Sequence, residues 1–303
     1  MPERTIDLNG PVHFLEVNGP ADGPVFVCVH GLAGHHATWL TLARLLSARG
    51  RVLAPDLPGF GLTPLRDRRA TMTGMRLLLD RFIDATTDRP VVLVGNSMGG
   101  TLAMMQAHVR PERVEALVLV APAVPRPVTE PVEPRIALTF GVSLIPGVGE
   151  ATYKRRVRRV GYPHLATEAL AFCTVDARRV PAEIVEAGLA LAERRASHDG
   201  AARAFLQATR SLTMMLARRR SFLRMVRAIS VPTLIVAGRR DRVVPFTTVA
   251  AVADARSDWR LAVFDDLGHI PMAEDPPRTA EAILSWLDEQ QDEAPGIAAG
   301  GVS

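Results

Sequence analysis

Short, unbroken runs of apolar and mostly β-branched residues constrain this chain more than any other feature. VFVCV at Val25–Val29, VLA at Val52–Ala54, VVLV at Val91–Val94 and LVLV at Leu117–Val120 follow one another early in the sequence. Each run is too short for a buried helix and shows no apolar–polar alternation, so each reads as a strand buried on both faces of a sheet. Helix-length patterns separate the runs, at Thr38–Ala48, Met72–Ala85 and Met98–His108. Strand and helix in alternation imply βαβ units, hence parallel strands with helices on both faces. The pattern resumes late, with Thr233–Ala237, a helical Phe246–Ala255, Arg260–Phe264 and an amphipathic helix over Pro277–Gln290. The expected fold class is α/β, a doubly wound and mostly parallel sheet.

Residues 124–228 break the alternation. The stretch opens in a proline cluster, APAVPRPVTEPVEP, which cannot sit inside a sheet, and then reads as helices only. Ala202, Phe205, Leu206, Thr209, Leu212 and Leu216 recur at spacings of three and four, which gives one buried helix face. The expected organisation is a core over 1–123, a helical insertion over 124–228, a second core segment over 229–290 and a small, polar, disordered tail over 291–303. The insertion holds 18 lysines and arginines against 9 acids, a surplus of nine on a chain of net charge +4, so the rest is net acidic. Such a segment could draw anionic substrates or a membrane surface, although a solvated helix face is the simpler account. Its basic residues are almost all arginine, with no aromatics interleaved, so no nucleic-acid partner is expected.

The first ten residues carry charge and no apolar run, so no signal peptide is expected. No stretch approaches the roughly 18 apolar residues that span a bilayer, so stable membrane insertion is not expected and the cytoplasm is the default location. Cys28 and Cys173 lie in apolar contexts and read as small buried hydrophobes. Neither they nor the eight histidines show metal-ligand spacing, so no metal and no cofactor is expected. A monomer or homodimer is anticipated.

The sharpest motif is VVLVGNSMGGTLAMM, a buried strand that turns at Gly95, presents Ser97, passes Gly99 and Gly100 and starts a helix. In this G-x-S-x-G context the serine is held in strained torsions with its Oγ exposed at the sheet's C-terminal edge. The first helical turn offers an unpaired N–H there, that of Met98, to a developing oxyanion. A serine hydroxyl needs a base, and base and acid are sought later in the chain, acid first. VPTLIVAGRRDRVVP places Asp241 after one strand, and LAVFDDLGHIPMAEDP places His269 after the next. Parallel strands put their C-terminal ends together, so Ser97, Asp241 and His269 should share one edge. Asp265 and Asp266 are rival acids, but they precede His269 too closely for an easy inward reach.

A second oxyanion donor is expected at the N–H of Leu32, in the glycine-rich turn of VFVCVHGLAGHHATW. His30 reads as a turn-fixing histidine, His35 and His36 as pocket-mouth or helix-start residues, and Asp56 in LAPDLPGFGLT as structural.

HGLAG, PDLPGFGLT, GNSMGG, GRRDRVVP and GHIPMAEDP, in this order from about Val25 to Leu287, resemble the α/β-hydrolase superfamily. The resemblance implies that fold with residues 124–228 as a helical cap over the site, and a serine hydrolase whose Ser97, His269 and Asp241 act as nucleophile, base and acid. GHIPMAEDP is similar to carboxylesterases and lipases acting on short acyl esters, which implies a small-molecule ester or acyl substrate. GNSMGG is similar to hydrolases of carbon–carbon bonds in dienoate ring-cleavage products. Those usually carry an aromatic after the histidine, where Ile270 stands here, and a cap arginine, for which Arg194 or Arg195 could serve. A serine at 97 rather than an aspartate argues against epoxide hydrolases and haloalkane dehalogenases. The fold also serves as a ligand-binding receptor, a role the intact set of three argues against.

Overall fold

Every expected strand forms, and the pattern of each run explains its place. In the computed structural model the described residues are 3–127, 132–195 and 200–293. The runs become β3 (Val25–Val29), β4 (Arg51–Pro55), β5 (Val91–Asn96), β6 (Val114–Val120), β7 (Thr233–Gly238) and β8 (Arg260–Phe264). They pair in parallel in the order β4-β3-β5-β6-β7-β8. Within β3, Val25, Val27 and Val29 pack into one hydrophobic layer while Phe26 and Cys28 pack into the other. A strand buried on both faces therefore has no polar position, and each such side chain contributes about 1.5–3 kcal/mol when fully buried.

Helices cover both faces. α1 (Leu40–Leu46), entered through a tight turn at His36–Trp39, lies with α11 (Pro276–Glu293) on one side, burying Leu42, Leu46, Ile283 and Trp286. α2 (Met72–Thr86), α3 (Met98–Val109) and α9 (Phe246–Ala253) lie on the other, burying Phe82, Leu102 and Val249. The short α10 (Pro271–Glu274) precedes α11. Since α11 runs to Glu293, residues 291–293 are helical where a disordered tail was expected to begin; 294–303 lie outside the described residues.

Two strands were not anticipated. β1 (Glu3–Asp7) and β2 (Pro11–Val17) form a hairpin that joins the sheet antiparallel at β4. Its turn uses Asn9 at φ 60° and Gly10 at φ 109°, and the Gly10 N–H donates to Asp7 Oδ1 at 3.1 Å. Asn-Gly is a strong hairpin signal because both residues tolerate positive φ.

Between β6 and β7 the described residues form helices: α4 (Pro134–Leu144), α5 (Val148–Cys173), α6 (Ala182–Arg195), α7 (Ala201–Ala217) and α8 (Arg219–Arg227). α5 is broken at Gly161, φ 77°, two residues before Pro163. α6 is tied to α1, where Glu183 accepts from Thr41 Oγ1 at 2.7 Å and pairs with Arg44. α8 differs from its neighbours, because Phe222 and Val226 enter the same hydrophobic layer as Leu102 of α3. Among the described residues no helix is long and apolar enough to cross a membrane.

Candidate active site

Ser97 stands between the end of β5 and the first turn of α3 at φ 53°, ψ −118°, a conformation that costs a non-glycine residue about 1–3 kcal/mol. Surrounding bonds impose it. The Ser97 N–H donates to the Val120 carbonyl of β6 at 3.0 Å, and the Ser97 carbonyl accepts from Ala123 N–H at 3.0 Å. Glycine is required on either side for space: a Cβ on Gly95 would lie 2.4 Å from the Gly99 carbonyl oxygen, and one on Gly99 would lie 2.1 Å from that of Val29. Met98 opens α3, where an N–H has no helical partner.

β7 and β8, set apart from β5 by β6, deliver the acid and the histidine. Asp241 Oδ2 is 2.7 Å from His269 Nδ1, with both side chains almost wholly buried. The other carboxylate oxygen of Asp241 accepts from the N–H groups of Val243 at 2.7 Å and Val244 at 2.9 Å, which fixes the carboxylate plane. The pairing assigns the proton to Nδ1 and leaves the Nε2 lone pair of a neutral His269 available. Asn96 joins this loop to the Ser97 turn, because its amide donates to the carbonyls of both His269 and Val120 at 3.1 Å each.

The turn after β3 completes the arrangement. A Cβ on Gly31 would lie 3.1 Å from Ser97 Cβ, so this turn flanks the serine side chain directly. The Gly31 carbonyl is held twice, by His30 Nδ1 at 2.7 Å and by the Gly34 N–H at 3.0 Å. His30 Nε2 accepts from the Leu57 N–H at 3.0 Å, which makes Nδ1 the protonated nitrogen. A trans peptide sets N–H and C=O on opposite sides, so pinning the Gly31 carbonyl also aims the Leu32 N–H. His30 is thus a turn-fixing histidine, as its position suggested.

His36 is buried rather than at a pocket mouth. Its N–H donates to Asp56 Oδ1 at 2.7 Å and its Nδ1 lies 2.9 Å from Asp56 Oδ2, which also accepts from the Leu62 N–H at 2.7 Å. Burial pushes the Asp56 carboxyl up, but the hydrogen bond and charge of His36 outweigh it and hold the group below its ordinary value. Burial also works to lower His36, and Asp56 with Glu3 reverses that, leaving its pKa raised. The rival acids face away: Asp265 pairs with Arg239 at 2.6 Å, while Asp266 is held down to about 2 by Arg278 and Arg179. Arg194 is exposed near the end of α6, and its charge adds to the burial that lowers the His13 imidazole of β2; the Arg195 side chain lies outside the described residues. Cys28 and Cys173 are free thiols, and burial pushes Cys173 up to about 12. Among the described residues no cluster of histidine, cysteine and acids could hold a metal ion.

Sequence reasoning missed Glu274. This buried side chain accepts from the Gly268 N–H at 2.9 Å, beside His269, and from the N–H groups of Val175 and Asp176 at 2.8 and 2.9 Å. The His269 N–H itself donates to the Cys173 carbonyl at the end of α5, at 2.7 Å. The histidine loop is therefore fastened to the helical insertion, across a separation in sequence that no local pattern reveals.

A family model described as the alpha/beta hydrolase fold matches residues 24–276, and the chain belongs to that family. It is 30% identical to a protein of Variovorax paradoxus named as the carbamate hydrolase RutD, over 95% of this chain and all of that one. It is 28% identical to the 2-hydroxy-6-oxo-6-(2'-aminophenyl)hexa-2,4-dienoic acid hydrolase of Metapseudomonas resinovorans, covering 96% of this chain and 92% of that one. The human monoacylglycerol lipase ABHD6 is 25% identical over 88% of this chain and 76% of its own length. The relatives share hydrolysis and differ in the bond they break.

Proposed function

We propose that the protein is a serine hydrolase that cleaves carboxylic esters of small molecules through an acyl-enzyme. The observation that carries this reading is the buried 2.7 Å bond from His269 to Asp241 beside a serine held in a strained turn. Ser97 Oγ attacks the ester carbonyl while His269 Nε2 takes its proton, and the Leu32 and Met98 N–H groups receive the oxyanion. His269 returns that proton to the departing alcohol. Water then attacks the acyl-serine, again with His269 as base, releasing the acid and restoring Ser97. Asp241 keeps the imidazole in the required tautomer and stabilises its charged form. Helices α4–α7 act as the cap over this site, and Arg242 supports the junction by donating to the Thr174 carbonyl at 2.8 Å.

The likeness to the dienoic acid hydrolase favours a second reading, cleavage of a carbon–carbon bond in a carboxylate-bearing dienoate. Ester cleavage is preferred because Ile270 follows His269, where carbon–carbon hydrolases carry an aromatic.

A fluorophosphonate probe with a p-nitrophenyl ester series and one dienoate separates the readings. We expect labelling of Ser97, its loss in Ser97→Ala, and turnover of at least one ester above that of the dienoate. Absent labelling points to a ligand-binding protein, and faster dienoate turnover replaces the ester reading.

A further inference from the structure

The stretch between Asp199 and Asp241 contains no acidic residue and nine arginines. Five of them, Arg218, Arg219, Arg220, Arg224 and Arg227, are exposed in and beside α8. Arg210 nearby is matched by Glu150 at 2.8 Å, whereas among the described residues no carboxylate pairs with these five. The helix period explains their placement. Phe222 and Val226 turn into the core, so Arg220, Arg224 and Arg227 share the opposite face.

Alongside this charge runs a groove of about 570 Å³ between α2, α3, α7 and α8. Met72, Met105, Met214, Met215 and Met225 line it, half of the chain's ten methionines, with Arg218 at its rim. Met214 is 58% exposed, so the groove opens to solvent along α7. Unbranched, polarisable methionine side chains suit a partner with no fixed shape.

We propose that the α7–α8 face docks on an anionic lipid surface, the arginines engaging lipid phosphates and the methionine groove receiving acyl chain or glycerol backbone. Arginine binds phosphate through two parallel N–H bonds, which lysine cannot do. Exposed methionine beside unpaired arginine fits the boundary between headgroups and acyl chains. A nucleic acid would call for exposed aromatics to stack on, and the groove's one aromatic, Phe222, is buried in the core. The proposal stands independently of which bond the enzyme hydrolyses.

The test is co-sedimentation of the full chain with vesicles of phosphatidylcholine and phosphatidylglycerol, against phosphatidylcholine alone, at low and high salt. We expect binding to the anionic vesicles only, weakened by salt. Each arginine near such a surface is worth about fivefold in partitioning, so R220E/R224E/R227E should lose on the order of a hundredfold or more. M214E should also weaken vesicle binding, while both variants keep the parent's unfolding midpoint and soluble-ester turnover. Failure of the parent chain to sediment with anionic vesicles, or parent-like binding by the triple variant, overturns the proposal. So does M214E binding like the parent while duplex DNA competes fully, since that describes a general polyanion site.

Discussion

Two loops at one edge of the sheet hold the candidate chemistry, and they are fastened in different ways. The Gly31–Gly34 turn is held from inside the core, through His30, the Leu57 N–H and the Gly34 N–H. The Gly268–His269 loop is held by the core, through Asn96 and Asp241, and also by the insertion, directly through the Cys173 carbonyl and indirectly through Glu274, which grips Val175 and Asp176. The insertion is thereby bonded to the histidine loop, whereas the bonds of the Gly31–Gly34 turn run within the core. The two halves of the site have different mechanical references.

The largest effect should come from the loop side. Asp241→Asn is expected to fold with the parent's midpoint and to lose about ten-thousandfold in kcat, because the amide favours the wrong imidazole tautomer. Near-normal turnover would remove Asp241 from the role given to it. Glu274→Gln replaces one of the two accepting oxygens by an amide NH2, which must then face the Gly268 N–H or the N–H pair of Val175 and Asp176, and should cost about 1–3 kcal/mol in chemical denaturation. Displacing His269 by as little as an ångström should lower kcat on the order of a hundredfold. The amides of Val175 and Asp176 should exchange hydrogen faster in this variant. If they do not, the coupling to the insertion is absent.

On the other side, His30→Ala removes one of the two bonds on the Gly31 carbonyl and should lower kcat about tenfold with KM little changed, since the role proposed for the Leu32 N–H is confined to the transition state. Exchange at Val175 and Asp176 should stay as in the parent, and acceleration there would erase the contrast between the loops. The smallest effect concerns the His36–Asp56 pair behind the same turn. His36 has a raised folded pKa, so its stabilisation is complete below its ordinary 6.5 and is lost as pH rises through the higher folded value. Asp56, lowered, contributes above its ordinary 3.8 and fails as pH falls through the folded value. The Tm of the parent should therefore decline on the alkaline side of about 6.5, and His36→Gln should flatten that limb. Identical limbs would show that the pair does not titrate with folding.

The same contrast marks what the sequence reveals. Strands β3 to β8 were legible because burial on both faces leaves an unbroken apolar run, as in Phe26 and Val27 packing to opposite layers. The placement of Ser97, Asp241 and His269 was legible because each sits in a short turn after such a run. The β1–β2 hairpin at the sheet edge was overlooked, since its half-exposed strands give only weak alternation, although Asn9-Gly10 marked the turn. Glu274 was not legible at all: its partners Val175 and Asp176 lie about a hundred residues earlier, and nothing in MAEDP distinguishes it from a solvated acid. His30 fell between these cases, since its role was readable from the turn but its grip on Leu57 was not.

The torsions of Ser97 bear on how such a chain ages under selection. A glycine at 97 would sit in that turn without strain and should make the fold more durable. Serine there stands against that gradient, so selection for stability alone would favour its replacement, as it would at Ala33 and Ala121, which share a positive φ. A descendant released from that chemical duty would be expected to accept glycine at the turn with the sheet beneath it unchanged.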